Sequence, residues 1–237
     1  MQRFNVEKIK NKIFFSDEDI FHIKKVLRKK IGDYLECIDQ DNNLISSIIK
    51  SLNPFIAIVD SIKEYNVIET YPIDLYVSLL KKKEFEFVVE KMNELNINSI
   101  TPVFFSRTQG NLLINLERLN RISKESCKQC KRHKNIIINA PITYKKLVEK
   151  IKENNNFVFA NEKECQNNLD SVKINFNKNI GLIIGPEGGF VSKEIDELSS
   201  LCSSIVLTKT ILRAETACLY LVSCIIEDYK KKWKINF

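Results

Sequence analysis

The sequence predicts an α/β protein in which a small β domain precedes a larger α/β domain. Up to about residue 70, short runs of strand-forming residues alternate with tight turns. From Tyr71-Pro72 onward, strand-like apolar runs alternate with amphipathic helical segments, and this alternation implies a largely parallel sheet. We therefore predict two domains, residues 1–70 and 71–237, with the boundary placed to within about four residues.

The first part of the chain has the spacing of a small β domain. Strand-like runs lie at 12–15, 34–38, 44–49 and 55–59, and turn residues separate them at 32–33, 41–43 and 53–54. Ser16 can cap a helix in which Ile20, Ile23 and Leu27 share one face. Short strands joined by tight turns in this way suggest a small closed barrel.

The rest of the chain alternates between the two kinds of element. Strands are predicted at 74–80, 99–105, 157–160, 180–184 and 204–207, and helices around 88–95 and over 118–134, 143–153, 192–198 and 215–230. The last helix carries apolar residues on more than one face. We expect it to be buried either within its own chain or against a partner, and the pattern favours neither.

Composition excludes several classes of protein. Apolar residues make up 44% and charged residues 28%, as in an ordinary globular protein. No stretch has the apolar length of a membrane span, and residues 1–15 are too polar for a signal peptide. The seven cysteines, an odd number scattered along the chain, fit free thiols in a reducing compartment. These features predict a cytoplasmic protein that does not enter the membrane.

Positive charge is clustered along the chain. The net charge is +7, and basic runs occur at 24–30, 81–83 and 118–134. On the third run the three- and four-residue spacing lays four cations along one helix face, namely Arg121, Lys124, Lys128 and Lys131. Such a stripe can neutralise phosphates, although a solvated helix face gives the same pattern. Three separate clusters favour RNA as a partner.

The most informative segment is the glycine-rich run at 185–190, Gly-Pro-Glu-Gly-Gly-Phe. It follows the apolar strand 180–184 and precedes a helix for which Ser192 is the predicted N-cap. Strand, glycine-rich turn and helix start together form a site for a small ligand at the carboxyl end of a sheet. A triphosphate-binding loop would require a Lys-Ser/Thr pair where Phe190 and Val191 stand. A dinucleotide fold would require several more βα units after its glycines. A simple tight turn remains the alternative.

A second motif, at 211–217, accompanies the glycine-rich run. The run Ile-Leu-Arg-Ala-Glu-Thr-Ala at 211–217 follows the last predicted strand, and the pair of motifs resembles the SPOUT-class methyltransferases that modify N3 of a uridine in 16S ribosomal RNA of the small subunit. The resemblance covers nearly the whole chain. Further matches lie at Met1–Phe4, His22-Ile23, 26–28, 32–33, Lys91, 94–95, 100–102, Arg107, 117–118, Ile122, Glu125, Gln129 and Arg132.

The resemblance implies a fold, a cofactor and partners. It implies an N-terminal PUA-like RNA-binding β-barrel, followed by a SPOUT α/β domain whose trefoil knot binds S-adenosyl-L-methionine. It further implies a homodimer with the cofactor sites near the interface, acting on 16S rRNA within the small ribosomal subunit. The chain departs from the pattern at Lys128, Lys131, Thr208 and Thr210. Thr208 matters most among these, because it adds a side chain where the family usually has glycine near the cofactor.

Site residues follow from the matched motifs. Uridine N3 lies on the Watson–Crick edge and carries a proton at neutral pH, so the base must be unpaired and deprotonated before transfer. Arg213 is the first candidate for stabilising the uridine anion, and Glu215 could orient Arg213, remove the proton or complement the helix dipole. The resemblance assigns cofactor binding to Ile184, Gly185, Glu187, Gly188, Gly189, Leu207, Thr208 and Leu212, and RNA contacts to Arg3, Arg28, Arg107 and Arg132. Glu187 could serve either as a base or as a hydrogen-bond acceptor for the cofactor, and the sequence favours neither role.

Other interpretations remain open. The pattern Cys127-x-x-Cys130-x-x-His133 resembles part of a zinc site, but a structural zinc needs four ligands and the sequence offers no second pair nearby, so we predict no metal. His22 fits a partly buried helix residue better than a general base. The rival function is a non-catalytic RNA-binding or ribosome-assembly protein that keeps the fold. A third interpretation is methylation of another RNA position, such as a ribose oxygen.

Overall fold

The structure is a computed structural model that describes residues 3–39, 43–64, 70–109, 114–132, 134–164 and 166–233. The chain divides into two compact units, Met1–Glu69 with Glu125–His133 and Thr70–Lys124 with Lys134–Phe237. Residues 125–133 therefore belong to the first unit. The predicted division at a single boundary near residue 70 does not include this later segment. Most of the turn predicted at 41–43 lies outside the described residues.

The first unit is built on a six-stranded sheet in the order β1-β4-β5-β6-β3-β2. Its strands are β1 (Arg3–Asn5), β2 (Glu7–Ile9), β3 (Lys12–Phe14), β4 (Tyr34–Ile38), β5 (Asn43–Leu52) and β6 (Phe55–Glu64). β1 and β2 stand at opposite ends of this order, yet only Val6 separates them in the chain. The sheet must therefore curl until its ends approach each other, as the PUA-like prediction requires.

One helical segment closes the core of this curled sheet. Helix α1 (Asp17–Phe21) continues as a π-helical turn over His22–Val26. The Ser16 hydroxyl accepts a hydrogen bond from the Asp19 amide at 3.1 Å, so the predicted cap is confirmed. Ile23 is fully buried, in a cluster with Phe4 and Leu35. His22 is partly buried in this helical segment, as the sequence predicted.

The second unit is a parallel sheet with helices on both faces. The strand order is β10-β8-β7-β12-β11-β13, with β9 also paired to β8, and every pairing is parallel. The strands are β7 (Tyr71–Ser78), β8 (Ile97–Phe104), β9 (Ile137–Ile138), β10 (Ile142–Thr143), β11 (Phe157–Ala160), β12 (Ile180–Ile184) and β13 (Ser203–Ile205). The helices are α2 (Lys82–Glu94), α3 (Leu116–Cys130), α4 (Tyr144–Glu153), α5 (Ser192–Leu201) and α6 (Ala214–Trp233).

Side chains of the central strands alternate between two cores. In β12, Leu182 packs in the cluster that contains α2 and α6, whereas Ile183 packs with α4 and α5 on the opposite face. β11 divides in the same way, with Val158 on the first side and Phe159 on the second. Burial on both faces explains why these strands read as continuous apolar runs in the sequence. The predicted α/β architecture is confirmed.

The helix start after the glycine-rich run differs from the prediction. Val191, not Ser192, is the N-cap of α5, and Ser192 is the first helical residue. The end is closed by the Glu194 carboxylate, whose Oε2 accepts from the Val191 amide at 3.0 Å. A glutamate at the third helical position thus accepts from the N-cap amide, whereas the predicted serine hydroxyl would have accepted from an amide within the first turn.

The predicted cationic stripe on α3 is divided. Lys128 forms an ion pair with Asp19, and Lys131 lies beyond the helix at φ 62° with its Nζ 3.1 Å from Glu36 Oε1. Arg121 and Lys124 are exposed. Two of the four cations therefore bind carboxylates of the first unit. Within the described ranges, no helix has both the length and the apolar composition that a membrane span needs.

Candidate functional site

A cleft lies at the carboxyl edge of the parallel sheet, where β11, β12 and β13 end. Its volume is about 480 Å³, within the usual range of small-molecule sites. Segments after the three strands form its walls, namely 160–163, 184–190 and 206–215. Because parallel strands bring their carboxyl ends to one edge, segments far apart in the sequence meet here.

Packing requires glycine at two positions of the loop 185–190. A Cβ on Gly185 would lie 2.8 Å from Cζ of Phe190, whose ring is buried against Phe105 and Phe159. Gly189 has φ +68°, and a Cβ there would lie 2.9 Å from Oε1 of Glu162. Any larger residue at either position would strain the loop or displace its neighbours. The loop thus presents backbone to the cleft at these positions.

Residues after β8 contact the same loop from outside the cleft. Arg107 donates from Nη1 to the Gly188 carbonyl at 2.7 Å, and Gln109 donates from Nε2 to Glu187 Oε2 at 2.9 Å. Glu187 also lies 4.0 Å from the Lys81 ammonium, and both side chains are largely exposed. Side chains from the segments after β7 and β8 therefore contact the two exposed residues of the glycine-rich loop.

The second loop, which leads from β13 into α6, is ordered by its own hydroxyl groups. Thr208 donates from Oγ1 to the Thr210 carbonyl at 2.6 Å. The backbone of Thr208 does not have a positive φ, so it is compatible with a threonine side chain.

Arg213 directly precedes α6, and its carbonyl accepts from the Ala217 amide at 2.8 Å. This bond fixes the backbone of Arg213, while the side chain is exposed at the cleft.

The structure brings most of the predicted site residues together. All of the predicted cofactor residues except Gly188 line the cleft, and so do Arg213 and Glu215. Gly188 instead turns its carbonyl toward Arg107. Sequence reasoning missed Lys81, Asn161, Glu162 and Lys163. A usable signal existed for the last three, because they directly follow the predicted strand at 157–160.

The four predicted RNA-contacting arginines have different environments. Arg28 and Arg107 are exposed, and Arg28 has φ 52°. Arg3 is 8% exposed, donating from Nε to Glu36 Oε1 at 2.9 Å and from Nη1 to the Lys131 carbonyl. Arg132 is 9% exposed, and burial lowers the pKa of its guanidinium. Burial argues for structural roles of Arg3 and Arg132, so we carry only Arg28 and Arg107 forward as RNA contacts.

The cysteines of the zinc-like pattern, together with Cys202, lie in buried or partly buried environments. Burial raises the pKa of Cys127 to about 11 and that of Cys202 to about 12, so both thiols are protonated at neutral pH. Cys127 donates to the Arg132 carbonyl, and Cys130 to the Cys127 carbonyl. His133, the third residue of the zinc-like pattern, lies outside the described residues. No cluster of three or more metal-ligating side chains occurs in the part of the chain that the structure describes.

Comparison with known proteins first defines the class. The family model described as an RNA methyltransferase domain matches residues 68–226, and the one described as an RNA methyltransferase PUA domain matches residues 15–59. Solved structures support the same fold. A ribosomal RNA small subunit methyltransferase E from Neisseria gonorrhoeae, bound to S-adenosyl methionine, superposes with a TM-score of 0.79 at 22% identity, covering 96% of this chain and 97% of that one. The fold and its two parts are those of an RNA methyltransferase.

Curated relatives then narrow the class to a family. The ribosomal RNA small subunit methyltransferase E of Mesomycoplasma hyopneumoniae is 34% identical over 235 residues, which cover 96% of this chain and 100% of that protein. Its counterpart in Rickettsia conorii is 31% identical, over 86% of this chain and 84% of the relative. The chain belongs to the ribosomal RNA small subunit methyltransferase E family.

Proposed function

We propose that this protein is an S-adenosyl-L-methionine-dependent methyltransferase that modifies N3 of a uridine in 16S rRNA. The cleft at the carboxyl edge of the sheet carries this proposal, because it joins the two loops that bear the family motifs. We further propose a cytoplasmic homodimer that acts on the small ribosomal subunit. Family membership supports ribosomal RNA of the small subunit as substrate, and the N3 position rests on the resemblance of the two loop motifs to uridine-N3 methyltransferases.

The cleft fits the cofactor by size and by lining. It has room for a nucleoside-sized ligand, and Gly185 and Gly189 leave backbone where a Cβ would collide with neighbours. We propose that the predicted cofactor residues that line the cleft hold S-adenosylmethionine, namely Ile184, Gly185, Glu187, Gly189, Leu207, Thr208 and Leu212, and that Gly188 supports the loop through its bond to Arg107. Half-buried Leu207 and Leu212 would cover its adenine, and Glu187 would accept a hydrogen bond. When bound, the cofactor supplies an electrophilic methyl group on a sulfonium.

Arg213 is the residue that we propose as the electrostatic catalyst. Its backbone is fixed at the start of α6 and its side chain is exposed at the cleft, where a guanidinium can lie beside O2 or O4 of the uracil. The positive charge favours the uridine anion over the neutral base and so makes N3 a better nucleophile. We propose that half-buried Glu215 orients this guanidinium or accepts the N3 proton.

The two parts of the chain take different roles in this proposal. We assign residues 1–70 to a PUA-like RNA-binding barrel, with Arg28 as an exposed contact, and residues 71–237 to a SPOUT domain with a trefoil knot. A groove along α6 supports the homodimer. It is lined by Leu219, Cys224 and Tyr220, and Tyr220 is 44% exposed. The other apolar side chains of α6 are mostly buried within its own chain, so the groove alone supports a second copy at this helix.

Calorimetric titration of the full chain with S-adenosylmethionine tests the proposal at its first step. We expect micromolar binding that Gly189→Val abolishes, because the left-handed backbone and the Glu162 contact exclude a branched side chain. Gly32→Val is the matched control, since Gly32 also has positive φ but lies in the first unit with nothing near its Cβ position. Absence of wild-type binding, with and without RNA, would favour the non-catalytic RNA-binding alternative.

A further inference from the structure

We propose that residues 105–109 form a brace that holds the glycine-rich loop 185–190 in its binding form, with Arg107 as the main positioning residue. This inference rests on the proposed function, because it concerns how the same cleft is prepared for its cofactor. It also gives Arg107 a role that the sequence motif alone did not suggest.

The brace contacts the two most exposed residues of the loop. Arg107 donates to the Gly188 carbonyl at 2.7 Å, and a Cβ on Gly188 would lie 3.5 Å from its Cδ, so the arginine side chain runs alongside the loop backbone. Gln109 donates to Glu187 Oε2 at 2.9 Å. One contact fixes the backbone of the loop, and the other fixes a cleft-lining carboxylate.

The brace is itself anchored in the fold. The Ser106 amide donates to Glu194 Oε1 at 2.8 Å, and Glu194 is only 3% exposed. The Thr108 hydroxyl accepts from the Phe105 amide at 2.8 Å and lies 3.1 Å from the Ser78 hydroxyl. The ring of Phe105 packs edge-to-face on Phe190 with centroids 5.2 Å apart. Arg107 therefore extends from a rigid base.

The loop has a physical need for such support. Within the loop, the Gly189 amide donates to the Pro186 carbonyl at 2.8 Å, which closes a single tight turn. Glycine-rich backbone loses more conformational entropy on ordering than other sequences do. If the free protein already holds the loop in place, the cofactor does not have to supply that ordering free energy, and binding is tighter.

Titration without RNA separates a positioning role from a direct RNA contact. We expect Arg107→Ala to weaken S-adenosylmethionine binding about tenfold, as loss of one charge-assisted hydrogen bond implies. Arg107→Lys should recover part of this loss, because an ammonium can still donate to the Gly188 carbonyl. Gln109→Ala should show a smaller loss. Lys152→Ala, which removes an exposed cation of α4 that does not line the cleft, is the control and should bind as wild type does.

Hydrogen exchange in the free protein supplies a second readout. Amides at 187–190 should exchange faster in Arg107→Ala than in wild type, while those of β12 should be unchanged. Equal cofactor affinity and equal exchange in Arg107→Ala, with only a raised KM for RNA, would overturn the brace. If the wild-type protein itself bound no cofactor, the proposed function would fail. The hydrogen-exchange comparison would still show whether Arg107 holds the glycine-rich loop in place. Gln109→Ala and Arg107→Lys replace Arg107→Ala if that variant does not fold.

Discussion

Arg213 combines a fixed backbone with an exposed side chain. Its carbonyl closes the first turn of α6 through the Ala217 amide, so its position along the cleft does not depend on the rest of the preceding loop. A charged group that stabilises a developing anion is most effective when little reorganisation is required of it. The sequence motif therefore places its arginine at a rigid helix start and not at the centre of a loop.

Arg213→Ala should lower kcat on the order of 100-fold, as loss of one preorganised donor to a developing anion typically does. S-adenosylmethionine affinity should change little, because we assign this exposed side chain to the uracil and not to the cofactor. Single-turnover methyl transfer and calorimetry check the two parts of this prediction. A large loss of cofactor affinity with unchanged kcat would reassign Arg213 to cofactor binding.

Thr208 adds a side chain at a position where the family usually has glycine. Its hydroxyl is used locally, in the hydrogen bond to the Thr210 carbonyl. Thr208→Val keeps the shape of the side chain and removes the hydrogen-bond donor. We therefore expect the ordered loop to lose about 1 kcal/mol of stabilisation, which corresponds to roughly fivefold weaker cofactor binding. Thr210→Val leaves the carbonyl acceptor in place and serves as the matched control. Stronger binding by Thr208→Val would show that the hydroxyl obstructs the cleft.

At the scale of elements, Glu194 joins the end of one strand to the start of one helix. One carboxylate oxygen accepts from the Val191 amide at the N-terminus of α5, and the other accepts from Ser106 after β8. Both amides face a carboxylate that is almost fully buried. This one side chain therefore links the residue that follows the glycine-rich loop to the segment after β8.

Glu194→Ala should reduce the free energy of unfolding by about 3 kcal/mol, because it leaves two donors without their charged acceptor. For a chain of this length the Tm should fall by roughly 6–12 °C. Asp196→Ala, an exposed acid on the same helix, should leave the Tm almost unchanged. Thermal unfolding of the three proteins checks this, and equal Tm values for the two variants would contradict the assigned role.

The elements that the sequence predicts best are those with burial on both faces. Strands β11 and β12 begin and end where the apolar runs do, because every residue of such a strand must be apolar. β1 and β2 escaped prediction, since three residues each give no periodicity to recognise. The prediction for β6 ended at residue 59, whereas the strand continues to Glu64. The prediction stopped early because the second half of the strand is solvent-facing and carries polar residues, which interrupt the apolar pattern.

At the scale of the whole molecule, the chain returns to its first unit after leaving it. Residues 125–133 lie more than fifty residues beyond the predicted boundary, yet they complete the first unit. Glu36 of β4 binds both Arg3 of β1 and Lys131 of this returning segment. No local pattern in the sequence signals such a return, because the ion pairs join residues about 30 to 130 positions apart.

This ion-pair network predicts a pH dependence of stability. Burial raises the pKa of Glu36, but the hydrogen bonds from Lys131 and Arg3 lower it more strongly, so the net pKa lies below the usual 4.5. A lowered folded-state pKa means that the stabilisation is complete above the unfolded-state pKa and is lost as pH falls through the folded value. Glu36→Gln should therefore be less stable than wild type at pH 7, and the difference should shrink below about pH 4.

Urea unfolding of wild type and Glu36→Gln across this pH range measures the effect. Glu7→Gln replaces an exposed carboxylate on strand β2 of the same sheet and serves as control. A stability difference that stays constant from pH 7 to about pH 3 would show that Glu36 acts through packing and not through charge.

The candidate site was predictable in part, for a reason of topology. Its two motif loops follow strands that the sequence reveals, and their juxtaposition follows from a parallel sheet. The contacts that hold the glycine-rich loop come from the segment after β8, about eighty residues earlier, through Arg107 and Gln109. Their contribution depends on which strands become neighbours, and composition or spacing does not determine that order.

Nucleoside analysis of 16S rRNA after reaction tests the central claim most directly. Small ribosomal subunits from cells that lack the modification would be incubated with the full chain and S-adenosylmethionine, and the RNA digested and examined by mass spectrometry. We predict 3-methyluridine at one site, formed on the order of 100-fold more slowly by Arg213→Ala under the same conditions. Methylation at a ribose oxygen, or no methyl transfer by a folded protein that binds the cofactor, would contradict the assignment.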